Sequence, residues 1–348
     1  MVSLYVHVPF RTPPDPPTAS TFADAVGREW VHHVPSSLRE ANMGALYIGG
    51  PRPSGLPVAS LQALVENLSA QIGDAPIDSV TLELDPADAT TSVLTALHDL
   101  GVTRLSVTDA PSLDDQLRAV DRARDTGFED ISVDLVFGGV DSSLSRWKNT
   151  LHQTVERHLP HITLLEAESK PAGDDERADC FAFAMRMLSA KGYEQYELTH
   201  FARPGAHSPY QEHVYAHGDV LGLGPGAESF WWPDRTDPST ARRWSNVSDA
   251  TTYVTRLRND EFPAAHHEDF DWGALAREYI LLRLRTDDGL DLAELKEQYH
   301  YPLSDRQADT LDRLARNGLI HDESDQVRLT PRGRLLADAV TQRLIRDA

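Results

Sequence analysis

The feature that most constrains the fold is a regular alternation of short β-rich runs with longer stretches that carry leucine and valine at helical spacing. Repeated strand–helix units are typical of a parallel sheet covered by helices, and the ligand site of such folds lies at the carboxyl ends of the strands. The predicted strands are Val2–Val8, Ala45–Ile48, Ser79–Leu84, Arg104–Val107, Ile131–Phe137, His161–Leu165 and Gln195–Leu198. The predicted helices are Ser60–Ile72, Ala89–Leu100, Asp114–Thr126, Leu144–His158 and Asp174–Lys191. The fold class is therefore α/β.

The sequence changes character twice after this alternating part, which spans residues 1–201. Residues 202–262 are rich in glycine, proline and aromatic residues and are predicted to be a loop-rich connecting segment. Residues 263–348 contain three helical patterns, a hairpin around Asp322–Asp325 and a last helix that Pro331 opens. This order predicts a helical, winged-helix-like C-terminal domain.

The charge and hydropathy of the chain exclude several classes of partner. Acidic residues number 54 and basic residues 33, which gives a formal net charge of −21. Such a surface repels nucleic acid and anionic lipid, so the winged-helix-like domain is predicted to pack or to dock a partner and not to bind DNA. No apolar run approaches the roughly 20 residues that cross a bilayer, and the first residues lack a signal-peptide pattern. A cytoplasmic location without membrane insertion is predicted.

The chain has one cysteine, Cys180, so neither an intramolecular disulfide nor a cysteine cluster for zinc or iron–sulfur is available. Cys180 lies in an apolar helical pattern, Ala178–Leu188. This position favours a small buried hydrophobic residue over a catalytic thiol.

Several motifs together resemble one family. The first strand, S-L-Y-V-H-V-P-F, resembles that of heme chaperones of the HemW type and of oxygen-independent coproporphyrinogen III oxidases, both in the radical SAM superfamily. The other matching segments are Ile48–Ser54, Thr81–Pro86, Arg104–Val107, Ile131–Gly138, Gly192–Gly205, Val220–Ala227 and Leu329–Asp338. The resemblance implies a radical-SAM-type partial (β/α) barrel and a role in porphyrin metabolism.

The chain departs from this family where a metal cluster would be held. In the family the first strand runs into C-x3-C-x2-C, whose thiolates hold a [4Fe–4S] cluster that binds S-adenosylmethionine. The matching positions are Arg11, Asp15 and Thr18. Because guanidinium has no lone pair and the other two offer hard oxygen, the cluster is predicted to be absent, S-adenosylmethionine is not expected to bind, and the chain is predicted to be a pseudoenzyme. Arg11 and Asp15 are predicted to fill or rim the vacated cavity and to meet nearby charges.

Four residues persist at the family's motif positions: Tyr5, Gly50, Glu83 and Asp134. In the family the glycine turn lies against the methionine part of the cosubstrate, the glutamate meets its ribose, and the aspartate is an acidic site residue. Two interpretations stay open for these residues. They are either a relict cosubstrate site or structural residues of the strands and the turn, and the missing cluster ligands favour the structural interpretation.

The resemblance also suggests where heme would bind. The chaperones carry H-N-x-x-Y-W, associated with heme binding, and its histidine is matched here by Tyr210. If heme binds, residues 207–217 are the predicted loop, with Tyr210 or His213 as iron ligand, because tyrosinate and imidazole are both known axial ligands. A metal site formed by His207, His213 and His217 is a weaker alternative, since no patterned carboxylate or cysteine accompanies them.

Three functional hypotheses follow. The preferred one is a divergent heme-chaperone-like protein that has lost the cluster and binds heme or another tetrapyrrole, with an unknown acceptor protein as partner. The second is a functional radical SAM oxidoreductase of porphyrin metabolism. The third is a protein-interaction scaffold without a cofactor. Hemin titration separates the first from the third, and iron and sulfide analysis tests the second.

Overall fold

The computed structural model describes residues 1–32, 34, 43–69, 77, 79–139, 143–167, 172–323 and 325–346. Its main sheet contains β1 (Val2–His7), β2 (Met43–Gly49), β3 (Ser79–Leu84), β4 (Arg104–Val107), β5 (Asp130–Phe137), β6 (His161–Glu166), β7 (Glu194–Gln195), β8 (His200–Ala202), β9 (Asp219–Leu223), β10 (Glu228–Trp231), β11 (Arg242–Asn246) and β12 (Ala264–Asp269). The order is β12-β11-β10-β9-β1-β2-β3-β4-β5-β6-β8-β7. The strands from β9 through β1 to β6 run parallel, which confirms the predicted parallel sheet.

Helices connect these strands, as the alternating pattern predicted. They are α1 (Pro16–His32), α2 (Val58–Ser69), α3 (Thr91–Asp99), α4 (Leu113–Asp125), α5 (Leu144–Val155), α6 (Asp174–Ala190), α7 (Pro209–Tyr215) and α8 (Ala250–Arg258). Thr90, Ser112 and Ser143 cap α3, α4 and α5, each accepting a hydrogen bond from a backbone N–H of the first turn. Across the described ranges, no helix combines the length and apolarity that a membrane span requires.

The two faces of the parallel strands differ in chemistry, because successive side chains point to opposite sides. One face is apolar and packs against the helices in a single core. The opposite face, called the inner face here, carries polar side chains at neighbouring positions on six strands. They are Tyr5, Tyr47, Glu83, Ser106, Asp134 and Thr163. A polar inner face provides groups that can bind a ligand or bond to one another.

The C-terminal part has its own core and a small sheet of order β13-β15-β14. Its elements are α9 (Trp272–Arg283), β13 (Leu290–Asp291), α10 (Leu292–Glu297), α11 (Asp305–Arg316), β14 (Ile320–Glu323), β15 (Gln326–Leu329), α12 (Pro331–Arg334) and α13 (Ala337–Arg346). Three helices followed by a hairpin and terminal helices match the predicted winged-helix-like order. The predicted last helix is divided in two.

Residues 202–262 differ from the predicted loop-rich segment, because they contain α7, α8 and the strands β9 to β11. One of the glycines in this segment, Gly222, is a strand residue. A Cβ on Gly222 would lie 2.2 Å from the carbonyl oxygen of Glu228, so only glycine lets β10 approach β9 this closely. Ser208 caps α7 and Pro209 opens it, which is a helix-start pattern within a stretch interpreted as loop.

Candidate functional site

Glu83 lies on the inner face of β3, and its carboxylate is held by two donors. The Tyr47 hydroxyl donates to Oε1 and the backbone N–H of Gly50 donates to Oε2, each at 2.9 Å. Gly50 has a φ of 123°, and a Cβ there would lie 2.3 Å from the carbonyl oxygen of Val8. Only glycine fits this turn, and the turn supplies one of the two hydrogen bonds that orient Glu83.

Three tyrosine rings lie beside this carboxylate and form what is called the tyrosine cluster here: Tyr5, Tyr47 and Tyr210. Ring centroids are 5.9 Å apart between Tyr5 and Tyr47, 5.0 Å between Tyr47 and Tyr210, and 6.2 Å between Tyr5 and Tyr210. Burial, together with the negative charge of Glu83, raises the pKa of all three hydroxyls. The cluster is therefore neutral at physiological pH.

Asp134 of β5 is the second inner-face carboxylate. It accepts a hydrogen bond from the Ser106 hydroxyl at 3.3 Å and another from Thr163. Burial, and then the charge of Glu83, raise the pKa of Asp134 to about 7. Burial also raises the pKa of Glu83, although its two hydrogen bonds oppose this. The two carboxylates can therefore share a proton near neutral pH.

The two predicted iron ligands lie on α7, where the sequence predicted a loop. Tyr210 joins the tyrosine cluster, so the structure brings it together with Tyr5, Gly50 and Glu83. His213 is held elsewhere, because its Nε2–H donates to the carbonyl oxygen of Asp219 at 2.9 Å. Burial lowers the pKa of His213. In this tautomer Nδ1 carries the lone pair that could bind a metal.

The three histidines of the alternative metal site have separate partners. His207 contacts Glu212 at 2.8 Å through Nδ1, and His217 contacts the hydroxyl of Tyr299 at 2.9 Å through Nδ1. His213 is bonded to a backbone carbonyl. Within the described ranges, no three histidine, cysteine, aspartate or glutamate side chains are grouped so that they could hold a metal ion.

Two of the three positions that match the family's cluster ligands, Asp15 and Thr18, form the start of a helix. Asp15 accepts the backbone N–H of Thr18 at 2.8 Å and also bonds to the Thr18 hydroxyl, which lowers the pKa of Asp15. Pro16 opens α1, so the segment has the composition of a helix N-terminus. Arg11 is exposed, and no ion pair links it to a carboxylate of the described ranges. The prediction that Arg11 rims a cavity and meets carboxylates is therefore wrong, because the start of α1 draws this segment to the surface.

The turn after β2 carries an arginine in ion pairs. Arg52 pairs with Asp88 at 2.7 Å and with Asp85 at 3.5 Å. The Ser54 hydroxyl donates to the same Asp88 carboxylate at 2.8 Å. Protein side chains thus satisfy the charge of Arg52.

Glu29 is a buried carboxylate that the sequence analysis missed. It accepts hydrogen bonds from the Gly224 N–H at 2.9 Å, from Nδ2 of Asn246 at 2.6 Å and from the Tyr253 hydroxyl. Burial raises its pKa to about 7, although the three donors oppose this shift. Glu29 connects α1 with the turn after β9 and with α8.

Glu197 is a second buried carboxylate that was missed. It contacts Nη2 of Arg285 at 2.7 Å and Nδ1 of His200 at 2.7 Å. Burial alone would raise its pKa, but His200 and Arg285 outweigh burial and lower the pKa to about 2. Because Arg285 follows α9, this ion pair joins the main sheet region to the C-terminal domain.

Comparisons with known proteins agree with this architecture. A model of the HemN C-terminal domain matches residues 274–336. The heme chaperone HemW of Bacillus subtilis (strain 168) is 23% identical over 98% of this chain and 98% of its own length. These matches support a chain that is similar to HemW-type heme chaperones and to HemN of the radical SAM family. The heme chaperone HemW of Mycobacterium tuberculosis (strain ATCC 25618 / H37Rv) is 25% identical over 89% of this chain and 83% of its length.

A solved structure shares the fold of this chain. The structure of Escherichia coli coproporphyrinogen III oxidase HemN, described as a radical SAM enzyme, superposes with a TM-score of 0.81 at 19% identity. The superposition covers 99% of this chain and 89% of that one. The predicted α/β fold is thereby confirmed, and the C-terminal domain, predicted to be winged-helix-like, matches the HemN C-terminal domain.

Proposed function

We propose that this chain is a heme-chaperone-like protein that has lost the [4Fe–4S] cluster and the radical chemistry of its family, and that it binds heme or another tetrapyrrole. The loss of the cluster is inferred from the side chains at the three ligand positions, Arg11, Asp15 and Thr18. None of the three supplies a thiolate, and Asp15 and Thr18 bond to each other as a helix start. This donor set does not fit an iron–sulfur cluster, whose ligands are soft thiolates. Similarity to proteins named heme chaperones supports the second half of the proposal.

Iron and sulfide analysis after anaerobic reconstitution tests the loss of the cluster. We expect no stoichiometric iron and no cluster signal by paramagnetic resonance after reduction. The Cys180→Ala variant controls for iron held by the one thiol of the chain. About four irons per chain, accompanied by a cluster signal, would support a functional radical SAM enzyme instead.

A hemin titration, monitored by the absorbance of the Soret band, tests tetrapyrrole binding. Tyr210→Phe removes the phenolic oxygen, His213→Ala removes the imidazole, and Tyr301→Phe in the C-terminal domain is the matched control. We expect one of the first two variants to change the Soret spectrum or the affinity, and the control to change neither. If hemin binds and the two variants, singly and together, behave as the wild type, the ligand assignment is wrong.

The pH dependence identifies the ligand. Because burial raises the pKa of Tyr210, tyrosinate binding releases a proton, and affinity should rise about tenfold per pH unit. The pKa of His213 is lowered, so imidazole binding should be independent of pH above neutrality. Tyrosinate ligation should also weaken when iron is reduced, because an anionic oxygen stabilises ferric iron. If hemin shows no saturable binding at any pH, the scaffold hypothesis replaces this proposal. An acceptor protein and a cytoplasmic location stay predictions.

A further inference from the structure

A cleft of about 620 Å³ lies between the main sheet region and the C-terminal domain. Its walls come from the ends of β5 and β6, from α6, and from α12 and the start of α13. Its volume lies within the range of about 300–1,000 Å³ that is typical of small-molecule sites. Domain junctions and the carboxyl ends of parallel strands are both common places for such sites. The residues of the tyrosine cluster and Glu83 do not line it, so this cleft is separate from the inner face described above.

One wall of the cleft is an aromatic platform. The rings of Phe137 and Phe181 stack with centroids 5.7 Å apart and an angle of 13° between their planes. Leu198 and Leu335 add apolar surface, and Leu336 is 46% exposed beside them. Phe137 is only 6% exposed and supports Phe181 from the core, so a flat apolar group would pack on the partly exposed ring of Phe181 and on Leu336.

A cation is held next to this platform. Gly138 makes room for the stem of Arg177, because a Cβ on Gly138 would lie 2.8 Å from Cγ of Arg177. The Nε of Arg177 is buried and has no hydrogen-bond partner among the described residues. Its ion-pair partners, Glu166 and Asp174, are 49% and 94% exposed, so they lie at the rim. A buried guanidinium donor without a partner is an unsatisfied group that an anionic ligand can satisfy.

We propose that this cleft binds an amphipathic anion, a ligand with a flat apolar body and a carboxylate or sulfonate group. The body packs on Phe181 and Leu336, and the anionic group accepts from Arg177. Exposed carboxylates at the rim repel compact hydrophilic anions, so the apolar body is required for binding. The proposal goes beyond tetrapyrrole binding, because it needs neither iron nor the residues on α7.

The fluorescent probe 1-anilinonaphthalene-8-sulfonate has this chemistry, and titrating it into the full native chain tests the proposal. We expect one saturable site per chain. Leu336→Asp places a charge beside the platform and Arg177→Gln removes the cation, and each should weaken binding by about tenfold or more. The matched controls are Leu281→Asp, at a leucine 44% exposed outside the cleft, and Arg118→Gln, at an exposed arginine also paired with an aspartate. Both controls should bind the probe as the wild type does.

Circular dichroism and urea denaturation verify that all four variants are folded. Inorganic phosphate should not displace the probe. Three results would each overturn the proposal. The probe does not bind saturably, or Leu336→Asp and Arg177→Gln bind it with the affinity of the wild type, or phosphate displaces it. Hemin binding that changes with Tyr210→Phe or His213→Ala, and not with the cleft variants, would leave the two proposals separate. The failure of one can therefore be distinguished from the failure of the other.

Discussion

Replacing Asp134 with asparagine tests the carboxylate pair of the inner face. Asparagine keeps the size of the side chain and an oxygen that can accept from the Ser106 hydroxyl, and its amide N–H replaces the proton that Asp134 holds. The substitution removes one titrating group and leaves Glu83 with its two donors. Any change of stability with pH between variant and wild type therefore reports on Asp134.

The sign and size of the effect follow from the raised pKa. In the folded protein the pKa of Asp134 is about 7, against an ordinary value of 3.8. Between these values the unfolded state loses its proton while the folded state keeps it, so the wild type loses stability as the pH rises from about 4 to about 7. A shift of about 3 units corresponds to about 4 kcal/mol at 1.36 kcal/mol per unit. Because the residue is partly exposed and coupled to Glu83, we expect about 2–4 kcal/mol.

Urea denaturation at a series of pH values from 4 to 8 measures this difference. The free energy of unfolding of Asp134→Asn should be close to that of the wild type at pH 4 and should exceed it by the expected amount at pH 8, with an unchanged dependence on urea. Asp309→Asn, at an exposed aspartate of α11, is the control and should show no such trend. A difference that stays constant with pH, or a variant less stable than the wild type at pH 8, would refute the reasoning.

Three further substitutions test the buried contacts by urea denaturation at pH 7. Glu197→Gln should lower the free energy of unfolding by about 3 kcal/mol, because Arg285 loses its buried partner; full stability would show that this ion pair does not join the domains. Glu29→Gln should lower the free energy of unfolding by about 2 kcal/mol, because the new amide N–H would face backbone and side-chain donors that bond to a carboxylate in the wild type. An unchanged urea midpoint would contradict this. Gly50→Ala should cost at least about 2 kcal/mol through its clash with the Val8 carbonyl, and a neutral effect would mean that the turn rearranges freely.

The periodic strands could be predicted closely from the sequence. Ser79–Leu84 and Arg104–Val107 have the predicted bounds, because short apolar runs between helical patterns leave few other solutions. Of the predicted strand Gln195–Leu198, only Gln195 lies in a strand, β7; the other three residues lie between β7 and β8, where Glu197 contacts Arg285. Contacts with distant residues set the conformation of this segment, and such contacts produce no local pattern in the sequence.

Two of the elements that were missed begin at proline or contain glycine. The helix α1 follows a proline-rich stretch, although Asp15 and Pro16 are a good helix start. The strand β9 includes Gly222, where a side chain would clash with the backbone carbonyl of Glu228, six residues later in β10. Glycine and proline indicate turns only on average. In a chain with 21 glycines and 22 prolines, some helices and strands that contain these residues are therefore interpreted as loops.

The candidate site was predicted in part. Motif positions selected Tyr5, Gly50 and Glu83, which the structure brings together, but Tyr47 was missed although it pairs directly with Tyr5 across β1 and β2. Glu29 was also missed, because its backbone donor lies 195 residues away along the chain. Periodicity and spacing contain no signal for contacts of that range.

The persistence of Glu83 has an explanation that needs no cosubstrate. Both of its oxygens accept from protein groups, so removing the side chain would leave the Tyr47 hydroxyl and the Gly50 N–H without partners next to Asp134. Glu83 is thus satisfied by protein donors, and its persistence is compatible with a protein that no longer performs the family's chemistry. The positions that discriminate between the hypotheses are those of Arg11, Asp15 and Thr18, because no hydrogen bond made by an arginine, an aspartate or a threonine can replace three thiolates.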